Sequence, residues 1–344
     1  MDEWTGQRAG CILNDIQIDL PYDWSYLVEN LIDPAHIPIS HDRTPGGGKR
    51  EDAQAYEMMV DQDSISSEGF TGRYRVESKA PDGPWTEVRY DAPGVVRQIG
   101  THPKIIFGAA LHCMPLALGR SRLLFRAYFG GIPWFLKLLI KSKPKFLRNL
   151  NSCKILEQDV GLITTQEDHF ARNPDRSMQD DFLLLGSSDA LLTVYRRWMD
   201  MVGPGMPWFQ GLAMCSTNVA NHLSGAELPP SLQPAHHRAS GQDAVETRYH
   251  RHVMHCPQTR KALERVQVLK WLSLATLIAS VTLTASMIPM APFFSTRLAR
   301  GTFRACAFSM PVFAAAFLGL QRLEQAFFVS FKRKDQMRRE KGGV

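Results

Sequence analysis

Apolar and polar residues follow different periods along the 344-residue chain, and these periods predict its elements. In residues 23–32 an apolar stripe at helical spacing is formed by Trp24, Leu27, Val28 and Leu31. That period predicts a helix. The following Asp33-Pro34 predicts its end, because the residue before a proline is disfavoured in the α conformation.

The middle of the chain has the pattern of strands. From Gly69 to about Gly130, apolar and alternating runs are separated by the turn-like sequences APDGP, DAPG and LALG. We predict from them an antiparallel sheet of four or more strands. The three glycines at 46–48 predict a flexible loop. They are not a phosphate-binding loop, because the residue spacing of that motif is absent.

Helical patterns return after the sheet. Residues 153–170 predict a helix, and residues 183–203 predict a strand followed by a helix. Residues 204–245, rich in Pro, Gly, Ser and Ala, predict a loop. A helical segment, a sheet and helices packed on it make an α+β domain, which we assign to residues 1–266.

Two apolar segments near the carboxyl end predict a membrane anchor. Residues 271–296 contain no charged side chain, and this run exceeds the roughly 20 residues that cross a bilayer. The run 305–321 is shorter and predicts a second span or an interfacial helix. We place an anchor of two helices at 267–331 and a basic tail at 332–344.

The segment 132–148 combines apolar residues with basic ones, and its pattern leaves two interpretations open. It suits a segment that lies on a membrane surface or forms a lipid-facing lid. It equally suits an amphipathic helix packed on a core.

Charge and cysteine content narrow the class of protein. The formal net charge is +6, and no basic stripe is interleaved with stacking aromatic residues, which argues against nucleic acid as a partner. The six cysteines are scattered without a CxxC pair, as is typical of free thiols in a reducing compartment.

Candidate chemistry is concentrated in the sequence ENLIDPAHIPISHD (29–42), where Asp33, His36 and His41 form a D-x2-H-x4-H pattern. In an unbroken helix the two histidines would point about 140° apart, but Pro38 between them favours a bent backbone. A bend would direct both imidazoles at one point, with Asp33 as acceptor for a ring nitrogen. Taken alone, the two histidines are equally compatible with hydrogen-bonded core or surface residues.

A third ligand is predicted in the helix 153–170. Asp159 shares an apolar stripe with Ile155, Leu162, Ile163, Gln166 and Phe170. A buried carboxylate requires a cation or a proton, so Asp159 is either a metal ligand or the partner of an arginine. Glu157 projects from another face, where we expect solvent exposure, and is the fallback ligand. Two histidines and one carboxylate suit ferrous iron.

These motifs resemble a known family. LPYDWSYLVENLIDPAHIPISH resembles the mononuclear-iron motif of Rieske non-heme iron oxygenases, most closely the chloroplast branch that contains pheophorbide a oxygenase. ILEQDVGLITTQ resembles the carboxylate-ligand segment of that branch, and the similarity extends over about residues 19–331. The resemblance implies a helix-grip (Bet v1-like) catalytic fold, iron ligands at His36, His41 and Asp159, and Asp33 as the residue that carries electrons from a Rieske cluster.

The resemblance also implies an activity, partners and a location. The expected reaction is oxidation of a chlorophyll-derived tetrapyrrole such as pheophorbide a, with mononuclear Fe(II) and dioxygen. The expected location is a chloroplast membrane, envelope or thylakoid, and homo- or hetero-oligomers are implied.

Two features depart from the family pattern. Family members carry C-x-H and C-x2-H ligands for a 2Fe-2S cluster, but no cysteine here has a histidine at either spacing. We therefore expect electrons from a ferredoxin or a Rieske-containing partner chain. Where the branch often has a redox-active CxxC, this chain has Cys256 and Thr259. The alternative function is a non-catalytic or truncated membrane-bound homologue that binds a tetrapyrrole.

A second group of metal-ligating residue types lies in RYHRHVMHC (248–256). If this segment is a strand, His250 and His252 share one face and His255 lies on the other. Imidazole and thiolate suit zinc, but we favour a structural or substrate-lining role.

Overall fold

The computed structural model describes most of the chain: residues 11–44, 47–79, 81–101, 106–117, 119–172, 186–202, 247–289 and 297–330. The loop predicted at 204–245 and the tail at 332–344 lie outside the described residues. The same holds for residues 183–185, where the predicted strand would begin.

The part of the chain before residue 257 is called the head below, and a seven-stranded antiparallel sheet forms its centre. Its strands are β1 (Ile12–Leu20), β2 (Tyr56–Ser66), β3 (Gly69–Val76), β4 (Thr86–Asp91), β5 (Val95–Thr101), β6 (Ile106–Ala117) and β7 (Arg120–Gly130). The strands are hydrogen-bonded in the order β1-β7-β6-β5-β4-β3-β2. The first strand therefore pairs with the last, with Ile16 opposite Phe125.

Eight helices accompany the sheet in the described part of the chain. They are α1 (Trp24–Ile32), α2 (Ile37–Ser40), α3 (Trp134–Ser142), α4 (Lys145–Arg172), α5 (Ala190–Val202), α6 (Arg248–Arg251), α7 (Pro257–Met287) and α8 (Arg297–Phe328). Short 3-10 turns lie at Arg50–Asp52, Glu77–Lys79 and Val253–His255.

The core lies between the inner face of the sheet and helices α1, α4 and α5. Alternation along β1 turns Ile16, Ile18 and Leu20 inward, because successive strand residues point to opposite faces. Cys153 and Ile163 of α4 belong to the same buried cluster. A long helix gripped by a sheet confirms the predicted α+β class and antiparallel helix-grip architecture.

Helices α7 and α8 form an antiparallel hairpin. The Lys270 ammonium of α7 contacts the Glu324 carboxylate of α8 at 2.5 Å, and Ser309 donates to Ser280 Oγ at 3.0 Å. Pro257–Met287 and Gly301–Phe328 are long and apolar enough to cross a membrane.

The element bounds differ from the sequence predictions in several places. Strands β1 and β2 were not predicted, and the second apolar helix begins at Arg297, before the predicted run at 305–321. Helix α4 starts at Lys145 rather than at residue 153, because Pro144 separates it from α3. The domain boundary at residues 266 and 267, which stays a prediction, falls inside the continuous helix α7.

Candidate metal centre

A break at Asp33-Pro34 and the short helix that follows it place the histidines of the opening motif. Helix α1 ends at Ile32, and Asp33 caps it in an extended conformation while its Oδ1 accepts a hydrogen bond from the Ala35 N–H at 2.7 Å. His36 and His41 then flank the single turn of α2. Pro38 lies in the first turn of α2, where its missing N–H removes no helical hydrogen bond. The bend therefore originates at Asp33-Pro34, not at Pro38 as predicted.

The structure brings both histidines and Asp159 together. One potential ligand atom from each lies within 4.8 Å of the others. The Asp159 Oδ2 atom is 3.4 Å from His41 Nε2 and 4.0 Å from His36 Nε2. His41 and Asp159 are buried, with 4% and 2% of their surface exposed. The three side chains thus converge on one small, shielded volume.

The opposite ring nitrogen of His41 is held by an amide. His41 Nδ1 lies 2.9 Å from Gln158 Oε1, and Gln158 Nε2 donates to Thr44 Oγ1 at 2.8 Å. Because an amide oxygen only accepts, His41 Nδ1 carries the proton and donates it. The unprotonated Nε2 then faces Asp159, which is the tautomer that a metal ligand needs.

His36 has a carboxylate behind its ring. His36 Nδ1 lies 3.4 Å from Asp33 Oδ2, without satisfying hydrogen-bond geometry. Burial disfavours the charged imidazolium, but the Asp33 and Asp159 carboxylates outweigh it and raise the pKa of His36. This arrangement orients His36 Nε2 towards the cluster and makes the ring more basic.

Asp159 is only partly satisfied by protein groups. Its Oδ2 accepts a hydrogen bond from Asn30 Nδ2 at 3.3 Å, whereas its buried Oδ1 has no hydrogen-bond partner among the described residues. A buried carboxylate oxygen without a partner is costly. A cation between Asp159 and the two Nε2 atoms would remove that cost, so the residues present fit a bound metal ion.

Glu157 has a different role, and the expectation of solvent exposure was wrong. Its side chain is fully buried, and its two carboxylate oxygens accept hydrogen bonds from Arg248 at 2.8 and 2.6 Å. Arg248 also contacts the Ala326 carbonyl near the end of α8. The arginine partner considered for Asp159 therefore belongs to Glu157, because the two residues lie on different faces of α4.

Three contributors to the site were not identified from the sequence. Gln158 and Asn30 give no local signal, since polar residues on a helix are common. Gly47 belongs to the predicted flexible loop, but it packs tightly: a Cβ built there would lie 2.1 Å from the His41 carbonyl oxygen. The glycine therefore lets the loop close over His41.

The second histidine group forms helical turns, so the strand considered for it was wrong. His252 is fully buried, and both ring nitrogens have partners: Nδ1 lies 2.6 Å from the Gln17 carbonyl oxygen and Nε2 lies 3.1 Å from Thr259 Oγ1. His255 lies 3.3 Å from Asp19. These contacts give the histidines structural roles.

Cys256 follows this turn and lines an open groove of about 610 Å³ on the outer face of the sheet. Its Sγ accepts hydrogen bonds from Thr259 at 3.2 Å and Asn149 at 3.6 Å. Burial alone would raise the pKa of this thiol, but hydrogen bonds with His252 and Thr259 outweigh it and lower the pKa to about 6. The thiol is thus largely ionised at neutral pH.

The fold and the site define a class. Two histidines and one carboxylate, buried between an antiparallel sheet and a long helix, are typical of mononuclear non-heme iron oxygenases. Residues 90–177 match the family model described as pheophorbide a oxygenase. The chain therefore carries a match to this domain, and its homologues are Rieske-type non-heme iron oxygenases of the pheophorbide a oxygenase branch.

Two curated chloroplastic proteins are similar to this chain in sequence, and one solved structure aligns with it weakly. Protein TIC 55, chloroplastic, of Arabidopsis thaliana is 33% identical over 284 residues, which cover 78% of this chain and 51% of the relative. Pheophorbide a oxygenase, chloroplastic, of the same organism is 22% identical over 277 residues, covering 74% and 46%. The chain thus spans about half the length of these curated relatives. A solved NdmA variant of Pseudomonas putida with caffeine aligns with a TM-score of 0.41 and 10% identity, over 63% of this chain and 55% of that one.

Proposed function

We propose that this chain is the catalytic part of an oxygenase with ferrous iron held by His36, His41 and Asp159. The observation that carries the proposal is the convergence of one ligand atom from each of these side chains within 4.8 Å, in a site where no described residue donates a hydrogen bond to Asp159 Oδ1. When bound, ferrous iron would supply the activation of dioxygen for oxidation of an organic substrate, and an external donor would supply the two electrons.

The residues around the ligands have distinct tasks in this proposal. Gln158 holds the proton of His41 on Nδ1, so that Nε2 is available to the metal. The Asp33 carboxylate lies 3.4 Å from His36 Nδ1 and favours a proton on that nitrogen by its charge. The Asp33 side chain is 23% exposed, which leaves it accessible to a partner. We assign Asp33 as the connection to an electron donor. The donor would be a Rieske 2Fe-2S cluster on another chain, supplied by a ferredoxin or a Rieske-containing partner in a homo- or hetero-oligomer.

We further propose a chlorophyll-derived tetrapyrrole, such as pheophorbide a, as the substrate. One relative is named pheophorbide a oxygenase, and the relatives compared above are chloroplastic proteins. The two apolar helices suit a chain anchored in a chloroplast membrane, where a flat, apolar substrate would partition. The second candidate function is a membrane-bound homologue that binds a tetrapyrrole without oxidising it.

The test measures iron and turnover separately. Full-length chain in detergent or nanodiscs is loaded with ferrous iron, and its bound iron is compared with that of His36→Ala and, as a matched control, the exposed His112→Ala. Dioxygen-dependent oxidation of pheophorbide a is then followed with and without a reduced Rieske-type ferredoxin partner.

The outcomes separate the candidate functions. The oxygenase is supported if the wild type and the His112 variant bind iron, the His36 variant does not, and turnover depends on the donor. Iron and chlorin binding without turnover under any donor supports the non-catalytic homologue. Iron content that does not change in His36→Ala contradicts both versions of the site.

A further inference from the structure

Helix α3 is an apolar helix, and no described residue of the chain covers its apolar face. None of its residues is buried, and Trp134, Phe135, Leu138 and Leu139 are 76%, 60%, 63% and 59% exposed. Soluble domains rarely expose so many large apolar side chains together, unless they form a binding surface. Within the described part of the chain α3 itself thus packs on no core, whereas Phe146, near the end of the same predicted segment, does.

The exposed side chains share one face of the helix. At 100° per residue, positions 134, 135, 138 and 139 cover an arc of about 140°. Lys137 and Lys141 lie beside this arc, and Lys143 and Lys145 follow directly. No acidic residue occurs between Gly131 and Leu156. Such a combination of an apolar face, a tryptophan and flanking lysines is suited to an anionic lipid surface.

The fold places this helix beside the root of the membrane hairpin. Immediately after Pro144, the Phe146 ring stacks on Phe327 of α8, with centroids 5.8 Å apart and planes 18° apart. Leu150 of α4 joins the same buried cluster, together with Val253 and Leu263. The carboxyl end of α3 is therefore fixed at the junction of head and anchor.

The same junction carries residue types that are typical of a membrane interface. Lys270 and Glu324 form an ion pair between the two helices, and the exposed Trp271 ring lies 5.0 Å from the Lys270 ammonium. Charged residues and tryptophan are typical of the interface between lipid and water. Glu324 is three residues before Phe327, which corresponds to about 4.5 Å along the helix, so α3 leaves the head close to this interface.

We propose that α3 lies in the surface of the membrane that α7 and α8 cross, with its apolar face in the lipid and its lysines at the anionic headgroups. This contact rests on the membrane anchor of the proposed function, but not on the iron site. It gives the head three membrane contacts, α3, α7 and α8, which fix its orientation rather than leaving it free to rotate on a hairpin.

The test measures the lipid contact of individual tryptophans. Full-length chain is placed, one copy per nanodisc, in phosphatidylcholine and phosphatidylglycerol brominated either near the headgroup or near the chain end. Fluorescence differences between wild type and Trp134→Phe, Trp85→Phe or Trp271→Phe isolate each residue. Trp85 packs beneath Arg73 and Arg75 in the sheet and serves as the head control. Trp271 reports insertion of the anchor.

We expect shallow bromines to quench Trp134 several-fold more than Trp85, and more than deep bromines do. In the wild type, adding phosphatidylglycerol should increase the quenching of Trp134. In the double variant Lys137→Gln/Lys141→Gln this increase should disappear. Quenching of Trp271 but not of Trp134 overturns the α3 proposal alone. No quenching of either overturns the anchor. If Trp134 is protected only in discs that hold two copies of the chain, a second copy covers the apolar face of α3, and this result also overturns the proposal.

Discussion

Glu157 and Asp159 are two residues apart in α4, yet their surroundings lead us to propose a role in stability for the first and in metal binding for the second. Glu157 pairs with Arg248 in the interior, whereas Asp159 faces His36 and His41. We therefore expect Glu157→Gln to lose stability and keep iron. Asp159→Asn should lose iron, while its metal-free form keeps its stability.

The size of the stability loss follows from burial. The Glu157 side chain has no exposed surface, that of Arg248 is 7% exposed, and two charge-assisted hydrogen bonds join them. Removing one partner of such a pair costs about 3–5 kcal/mol, because the other charge stays buried without compensation. At roughly 2–4 °C per kcal/mol for a domain of this size, the melting temperature should fall by about 6–20 °C.

The assay is thermal unfolding of the metal-free full-length chain in detergent, followed by tryptophan fluorescence, with bound iron measured after ferrous loading. Glu57→Gln is the matched control, since Glu57 pairs with Arg75 at 2.7 Å but is 37% exposed. An exposed pair contributes about 0–1 kcal/mol, so this variant should melt within about 4 °C of wild type. The reasoning is refuted if Glu157→Gln loses iron at an unchanged melting temperature, or if Asp159→Asn binds iron like the wild type.

Three further predictions concern neighbouring groups. Gln158→Leu removes the acceptor of the His41 Nδ1 proton and should weaken ferrous iron binding about 10–100-fold in titrations. Gly47→Ala places a Cβ against the His41 backbone and should also reduce bound iron by displacing that ligand. Alkylation of Cys256 by iodoacetamide should increase as the pH rises through about 6, where its thiol ionises. Cys113 should stay unmodified, because burial raises the pKa of its thiol. Mass spectrometry of peptides measures the modification of both cysteines.

Each of these predictions has its own control. For Gln158→Leu it is Gln158→Glu, which keeps an acceptor for His41 and should retain most of the iron. Gly186→Ala, where an added Cβ meets nothing within 4 Å, should leave iron binding unchanged. Thr259→Val removes a hydrogen bond to the Cys256 thiol and should move its alkylation to higher pH. An equal loss of iron in both glycine variants contradicts the prediction for Gly47. Alkylation of Cys256 that begins only near pH 9.0, the ordinary pKa of a thiol, contradicts the prediction for that cysteine.

Much of the local structure could be predicted from the sequence, because it depends on short-range period and composition. The stripe at 23–32, the break at Asp33-Pro34 and the alternation after Gly69 each produced the predicted element. The alternation in Ile12–Leu20 carried the same kind of signal, but it was not recognised as a strand. The long uncharged run after Lys270 likewise identified an apolar helix from length alone.

What the chain by itself determined is the chemical inventory of the site: two histidines near a helix end and a carboxylate in an apolar stripe. Only the tertiary structure decided which carboxylate faces the histidines. On α4, Glu157 and Asp159 are both buried, and their roles differ because Arg248 approaches one face of the helix and His41 the other. The helical period places the two residues on different faces and favoured Asp159 as the ligand, but it cannot identify the partner of each face, since both partners come from distant parts of the chain. The same holds for α3, whose apolar face we propose as a lipid contact only because no described part of the chain covers it.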